Sequence, residues 1–291
     1  MPRFRDSSLF LERALAIDAQ SASSAGALGF MARTLVQATL PHRDPKSNEF
    51  TRVNGQFTLT MLAPRSIGLP YGSVPRLVLA WITTEAVRTR KPTLHLGASL
   101  TQFMHQLELT ATGGRCGSIT RLRDQLQRLF ATSITCIYNA PNHWRLDALR
   151  VADAAQLWWH PQQPNASVGW ASTLTLGNTF FREIIERPVP VDLRVLKALR
   201  PSPLALDIYC WLTYRFSYLR HPTLIAWQTL QAQFGADYRY TRQFKVKFLA
   251  ALLKVQIVYP EARVTQCPEG LLLVPSRTHI RGQSGNRGGM K

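Results

Sequence analysis

Acidic residues are scarce in this chain. Seventeen aspartates and glutamates stand against 35 lysines and arginines, a formal charge of +18. Such a balance says nothing about fold, but it points to an anionic partner, and nucleic acid is the commonest large one. A ribosomal or merely adhesive basic protein would show the same balance. Cysteine is scarce too. Cys116, Cys136, Cys210 and Cys267 lie far apart and form no C-x-x-C pair, so their spacing offers neither a zinc site nor a disulfide framework. Each sits in or beside an apolar stretch and reads as a buried free thiol. No run approaches the roughly 20 apolar residues of a membrane span. Charges break every apolar run in MPRFRDSSLFLERALAIDAQ, so no signal peptide is expected.

Catalytic signatures are missing as well. There is no G-x-x-x-x-G-K-[ST] run, which excludes a P-loop ATPase. No His-x-His pair or paired acidic cluster suggests a metal nuclease, so no cofactor, metal or enzymatic activity is expected. His95 and His105 are isolated and read as structural. Tyr138 reads as strand packing rather than a nicking nucleophile. Trp158, Trp159 and Trp170 read as core.

What is present is enough apolar residue for real cores, and a length that suits two domains. Residues 1–49 read as a mobile arm with one or two short helices. Asn54-Gly55 between FTRV and FTLT is a strong hairpin signal. Then come a helix over 76–89 with Pro75 at its first turn, a strand over 93–97, and a helix that Ser99 can cap. Another helix starts at Ser118, also able to cap, and strands follow over 133–139 and 143–159. A strand then leads through proline-punctuated sequence into a second set. This set has helices over 191–199, 203–219, 223–235 and 241–255, with strands over 257–275. Helices followed by a β-ribbon, twice over, give an α+β (mainly α) protein of two tandem winged-helix domains, 50–187 and 188–276. A disordered basic tail over 277–291 ends the sequence.

In a helix-turn-helix the second helix of the unit enters the major groove, so it needs one apolar face and one face rich in donors. Over 118–130, Ile119, Leu122, Leu126, Leu129 and Phe130 share a face by spacing. Ser118, Thr120, Arg121, Gln125 and Arg128 are candidate DNA contacts on the other side, with Arg123 near the boundary. Arginine and glutamine can bond bidentately to guanine and adenine edges. Any globular protein has amphipathic helices, but this one precedes a ribbon. Over 241–255, Phe244, Phe248, Ala251, Leu252 and Val255 share the buried face. Arg242, Gln243, Val246, Lys247 and Ala250 point away, flanked by Lys245 and Lys254. No acid occurs between Asp237 and Glu261, unlike the mixed charge of an ordinary surface helix. Small Val246 and Ala250 would let the helix sit deep and touch thymine methyls. Arg239 and Tyr240 precede the helix within reach of a DNA backbone, and Arg263 lies near the turn of the second ribbon.

Several runs resemble the plasmid-encoded RepA replication protein family. They are GLPYGSVPRLVLAWITTEAVRT, ATGGRCGSITRLRDQLQRLF, LGNTFFREIIERPVPVDLRVLKALRPSPLALDIYCWLTYR and RQFKVKFLAALLKV, with NEFTRVNGQFTLTMLAP upstream. The resemblance covers the chain from about Ala27 to Val274. It implies a plasmid replication initiator in the bacterial cytoplasm that binds directly repeated double-stranded DNA at an origin, opens it, and recruits the host initiator and replicative helicase. By analogy it also implies a homodimer through the first domain. The rivals are a winged-helix repressor on a palindromic operator, a relaxase or primase, and a generic RNA-binding protein.

Overall fold

The computed structural model describes residues 3–158, 171–235 and 238–280. The chain opens with helix α1 (Arg3–Ala19), strand β1 (Leu28–Met31) and the short helix α2 (Arg33–Gln37). β2 (Glu49–Asn54) and β3 (Phe57–Leu62) form the expected hairpin. Asn54 pairs with Phe57, so the two-residue loop is Gly55-Gln56, one position later than the Asn-Gly signal suggests. Gly55 holds φ +59 at the first central position, where a II′ turn takes glycine.

Next come α3 (Ser73–Thr89), β4 (Thr93–His95), α4 (Leu100–Gln106) and α5 (Ser118–Ala131). Ser99 caps α4, its hydroxyl accepting from Gln102 N at 3.1 Å. β5 (Ser133–Ala140), β6 (His143–Arg150), β7 (Ala152–Gln156), β8 (Thr173–Leu176) and α6 (Asn178–Glu186) follow. The second half holds β9 (Val189–Asp192), α7 (Leu193–Leu199), α8 (Pro203–Tyr218), β10 (Thr223–Ala226), α9 (Trp227–Phe234), α10 (Thr241–Val258), β11 (Val264–Gln266) and β12 (Gly270–Leu273). The protein is α+β, with small antiparallel sheets set among the helices.

Two of the sheets share one plan. Their orders are β4-β8-β7 and β10-β12-β11: a strand before the second helix of the unit, then the last strand, then the middle one at the edge. This corrects the expected ribbon of the first half. β5 and β6 do not form it; β5 lies between β3 and β6 in a four-stranded sheet, β2-β3-β5-β6. Ile134 and Cys136 of β5 stand opposite Met61 and Leu59 of β3, so one face of that sheet is buried. The hairpin after the three helices is β7–β8. Trp159 and Trp170 lie outside the described residues, and Trp158 is largely exposed rather than core.

The span 223–235 is not one helix. Thr223–Ala226 pairs with Gly270–Leu273 as β10, and the helix starts only at Trp227. Local helical spacing loses here to ladder bonding. α9 stops at Gly235 without a left-handed cap. What glycine provides there is room, because a Cβ would run into the Phe244 ring.

The N-terminal segment is not a free arm. β1 pairs with β9, Leu28 opposite Asp192. Ala14 and Ile17 of α1 are buried, and Arg194 on α7 donates to Ala16 O and Gln20 O. Leu35 and Val36 of α2 and Leu40 after it are also buried. Apolar residues at these positions have no other core to join, so they close over both halves. The expected tail also starts too early. His279 Nδ1 lies 2.9 Å from Tyr209 Oη, Tyr259 donates to Arg277 O at 2.5 Å, and Ile280 is buried. Residues 281–291 lie outside the described residues.

The halves meet at a buried ionic cluster. Asp207 on α8 accepts from Arg76 of α3, Nε to Oδ1 and Nη2 to Oδ2, each at 2.7 Å, and His42 Nε2 stands 2.8 Å from the same Oδ2. Burial pushes the Asp207 carboxyl up, but the Arg76 charge and the hydrogen bonds from His42 and Arg76 together hold it below the usual range, whereas burial lowers the His42 pKa. All four cysteines are free thiols. Cys136 and Cys210 are buried as expected, and burial pushes the Cys136 thiol up to about 12. Cys116 is exposed on the turn before α5, contrary to expectation, and Cys267 is half-buried.

Candidate nucleic-acid interface

α10 carries the sharper face. Phe244, Phe248 and Val255 are fully enclosed, with Ala251 and Leu252 beside them. Phe248 meets Phe234 and Trp227 of α9 edge-on, and Phe244 packs against Phe248, which locks the rotation of the helix. Arg242, Gln243, Val246, Lys247, Ala250 and Lys254 therefore face solvent, as the spacing predicts. Leu253 and Ile257 also face outward, which the sequence reading did not single out. The outward cations have no acid among them on the helix, and the N-terminal end adds the positive pole of the helix dipole. Lys245 behaves differently. It is half-buried with Nζ 4.9 Å from the Trp227 ring, a cation–π contact that draws it off the outer face. Tyr240 occupies the N-cap position, more than half exposed, with Arg239 stacked 5.4 Å from its ring.

α5 splits the expected contacts. The Arg121 and Arg123 side chains are exposed and make no hydrogen bond or ion pair among the described residues. Gln127 is exposed beside them. Gln125 does not face outward: it is 5% exposed, and its Oε1 accepts from Tyr71 N at 2.8 Å. Arg128 is held by Asp124 at 3.0 Å, by Leu69 O at 3.3 Å and over the Tyr71 ring. The loop over 69–71 packs along that side of α5, and its backbone groups take up both side chains. Ser118 is not the N-cap; Gly117 holds that position. The Ser118 hydroxyl instead donates to Thr110 O at 2.5 Å and accepts from Thr112 N, while Thr120 donates to Gly114 O. Both residues close the glycine-rich turn that leads into α5.

Arg263 is exposed but tethered, its Nη2 donating to Pro275 O at 2.7 Å. The β11–β12 turn is short and carries Glu269, so it offers little attraction to a phosphate. Tyr138 is 41% exposed beside a polar groove instead of packed within its sheet, and His95 and His105 are exposed.

Helices α5 and α10 hold comparable places in their units: each is the third helix and precedes the last two strands of a sheet of common order, although β5 and β6 intervene after α5. Beside the start of α10 lies an open groove of about 880 Å³. Tyr238, Tyr240, Arg242, Gln243, Val246 and Lys247 form one wall, and His42 and Arg43 form the other. No acid lines it among the described residues. His42 and Arg43 were missed by the sequence reading, because a loop has no periodicity to betray which helix it meets 200 residues later. One signal was available: Asp207 is the only charge within PLALDIYCWLTY, and a carboxylate in an apolar helix needs buried partners.

A family model described as plasmid encoded RepA protein matches residues 69–229, more than half of the sequence. The chain belongs to that family. The match takes in the first unit with α5 and stops within α9, so α10 lies beyond it. No curated protein matches this RepA-family chain. Its fold is similar to the crystal structure of a selenomethionine derivative of domains 2 and 3 of RctB, at 12% identity and TM-score 0.54. That likeness covers 85% of this chain and 99% of the other. A second structure of RctB domains 2–3 matches at 13% identity and TM-score 0.47, covering 82% and 93%. Among the described residues no helix is long and apolar enough to cross a membrane.

Proposed function

We propose that this chain is a plasmid replication initiator that binds directly repeated double-stranded DNA at its origin through two winged helices. The observation that carries this reading is the outer face of α10. Arg242, Gln243 and Lys247 stand exposed around small Val246 and Ala250, with no acid on the helix. In this reading α10 lies in one major groove, and Arg121 and Arg123 of α5 approach the next. The common plan of the two small sheets supports a winged-helix assignment for both units. Membership of the plasmid-encoded RepA family supports replication as the use of that binding.

The action needs no covalent chemistry and no cofactor. Several protomers bound side by side strain an adjacent stretch until it melts, and the host initiator and replicative helicase enter there, in the bacterial cytoplasm. Self-association fits the four-stranded sheet. β6 is an edge strand, and Trp144 (61% exposed) and Leu146 stand on the open face. Changing Trp144 to glutamate should then lower the apparent mass in sedimentation without lowering thermal stability.

Footprinting on the DNA flanking the protein's own gene, with random competitor present, tests the main reading. Protection of regularly spaced direct repeats supports an initiator. A single palindromic footprint would indicate a repressor. Salt-sensitive smearing without a footprint would end the claim of origin binding.

A further inference from the structure

The loop Pro41–Lys46 is held more firmly than a surface loop needs to be. Arg76 Nη2 donates to Leu40 O at 2.7 Å and Nη1 to Pro41 O at 3.2 Å, and Gly72 N donates to the same Pro41 oxygen at 3.1 Å. The His42 ring is fixed against Asp207 at 2.8 Å. On the far side, Asp44 accepts from Lys46 N at 3.0 Å, closing a tight turn with Lys46 at φ +53. Between these two anchors stands Arg43, exposed and with no hydrogen bond or ion pair among the described residues.

The loop also lies between the two reading helices. Its His42–Arg43 end walls the groove opposite Arg242 and Lys247 of α10. On the α5 side, Gly72 N donates to Pro41 O, and the adjacent Tyr71 N donates to Gln125 Oε1 of α5. A cation held still in that seam, across a groove lined by no acid among the described residues and by two further cations, is placed for a phosphate.

We propose that Arg43 is a third DNA contact, a clamp on the backbone phosphate that passes between the two major-groove helices. The assignment rests on the proposal that α10 lies against DNA. The buried Arg76–Asp207–His42 cluster sets the loop before DNA arrives, so little ordering entropy is lost on binding. A phosphate contact positions the protein without reading sequence.

The test compares wild type, Arg43→Ala, Arg43→Lys and, as a control for the reading helix, Lys247→Ala. Affinity is measured across a salt series on two probes: the DNA flanking the protein's own gene and a random-sequence duplex a few turns long. Arg43→Ala should make the slope of log affinity against log salt shallower by about 0.9 on both probes, and Arg43→Lys should restore it. The deficit would then shrink about threefold over a fourfold rise in salt. Base preference should not change. An unchanged slope in Arg43→Ala, while Lys247→Ala weakens binding, would overturn the clamp and leave the α10 reading standing. If Lys247→Ala also has no effect on either probe, the α10 reading fails and the clamp with it. A changed base preference in Arg43→Ala would place the side chain on a base edge and overturn the phosphate assignment.

Discussion

Replacing Asp207 with asparagine keeps the volume and removes the charge. The Arg76 guanidinium, 4% exposed, loses its counter-ion. His42 loses its carboxylate partner at the same stroke. Breaking a buried pair from one side strands the other charge, at a cost of about 3–5 kcal/mol. For a chain of this size that lowers the melting temperature by about 10 °C. Thermal and urea unfolding at neutral pH measure the loss. The double variant Arg76→Met with Asp207→Leu removes both charges and should lose clearly less than the sum of the two single changes. Limited trypsin digestion adds a local readout, because cleavage after Arg43 should quicken once His42 is no longer fixed. A loss below about 1 kcal/mol, or full additivity in the double variant, would refute the view that this cluster joins the halves.

Arg242→Ala and Lys247→Ala should each weaken binding to the footprinted site by about 1–3 kcal/mol, whereas deleting residues 281–291 should do less; titration by fluorescence anisotropy measures all three. Gly270→Ala should destabilise the second unit by at least about 1–3 kcal/mol, since the new Cβ would fall on the Ile225 carbonyl and part β12 from β10. Burial lowers the pKa of both His42 and His279 from the ordinary 6.5, so the folded protein keeps them neutral where the unfolded chain takes up protons. Their contribution is complete above about pH 6.5 and falls away as pH drops toward the folded values, so melting temperature should fall from about pH 7 to about pH 5. His279→Phe should flatten part of that slope. In the same melts, the Asp207 contribution should persist until pH falls through its depressed carboxyl value.

Periodicity made the faces of the two long amphipathic helices, α5 and α10, legible. Phe244, Phe248, Leu252 and Val255 repeat along one face, and nothing in the surrounding fold contradicts that face. The same logic failed for Gln125 and Arg128, which lie on the outer side of α5 by angle but meet the loop over 69–71 in space. Strand partnership was harder still. Thr223–Ala226 continues a helical pattern, and only its ladder with Leu271–Leu273 makes it a strand. β5 and β6 were recognised as strands but assigned to the wrong sheet, because pairing with β3 depends on residues some 70 positions earlier. The arm over 1–49 looked free since its partners, β9, α7 and α10, arrive at the other end of the sequence.

That late meeting has a consequence for synthesis. Leu28–Met31 leaves the ribosome long before Val189–Asp192, the strand it must pair with. At about 5–20 residues per second the wait is roughly 8–30 s. During that time the first half can form its own helices and hairpins, but its opening strand has no partner and the apolar side of α1 has nothing to cover it. The units therefore cannot mature strictly one after the other. The nascent chain must hold its opening strand in reserve until β9 emerges, so translation speed bears on how this protein reaches its folded form.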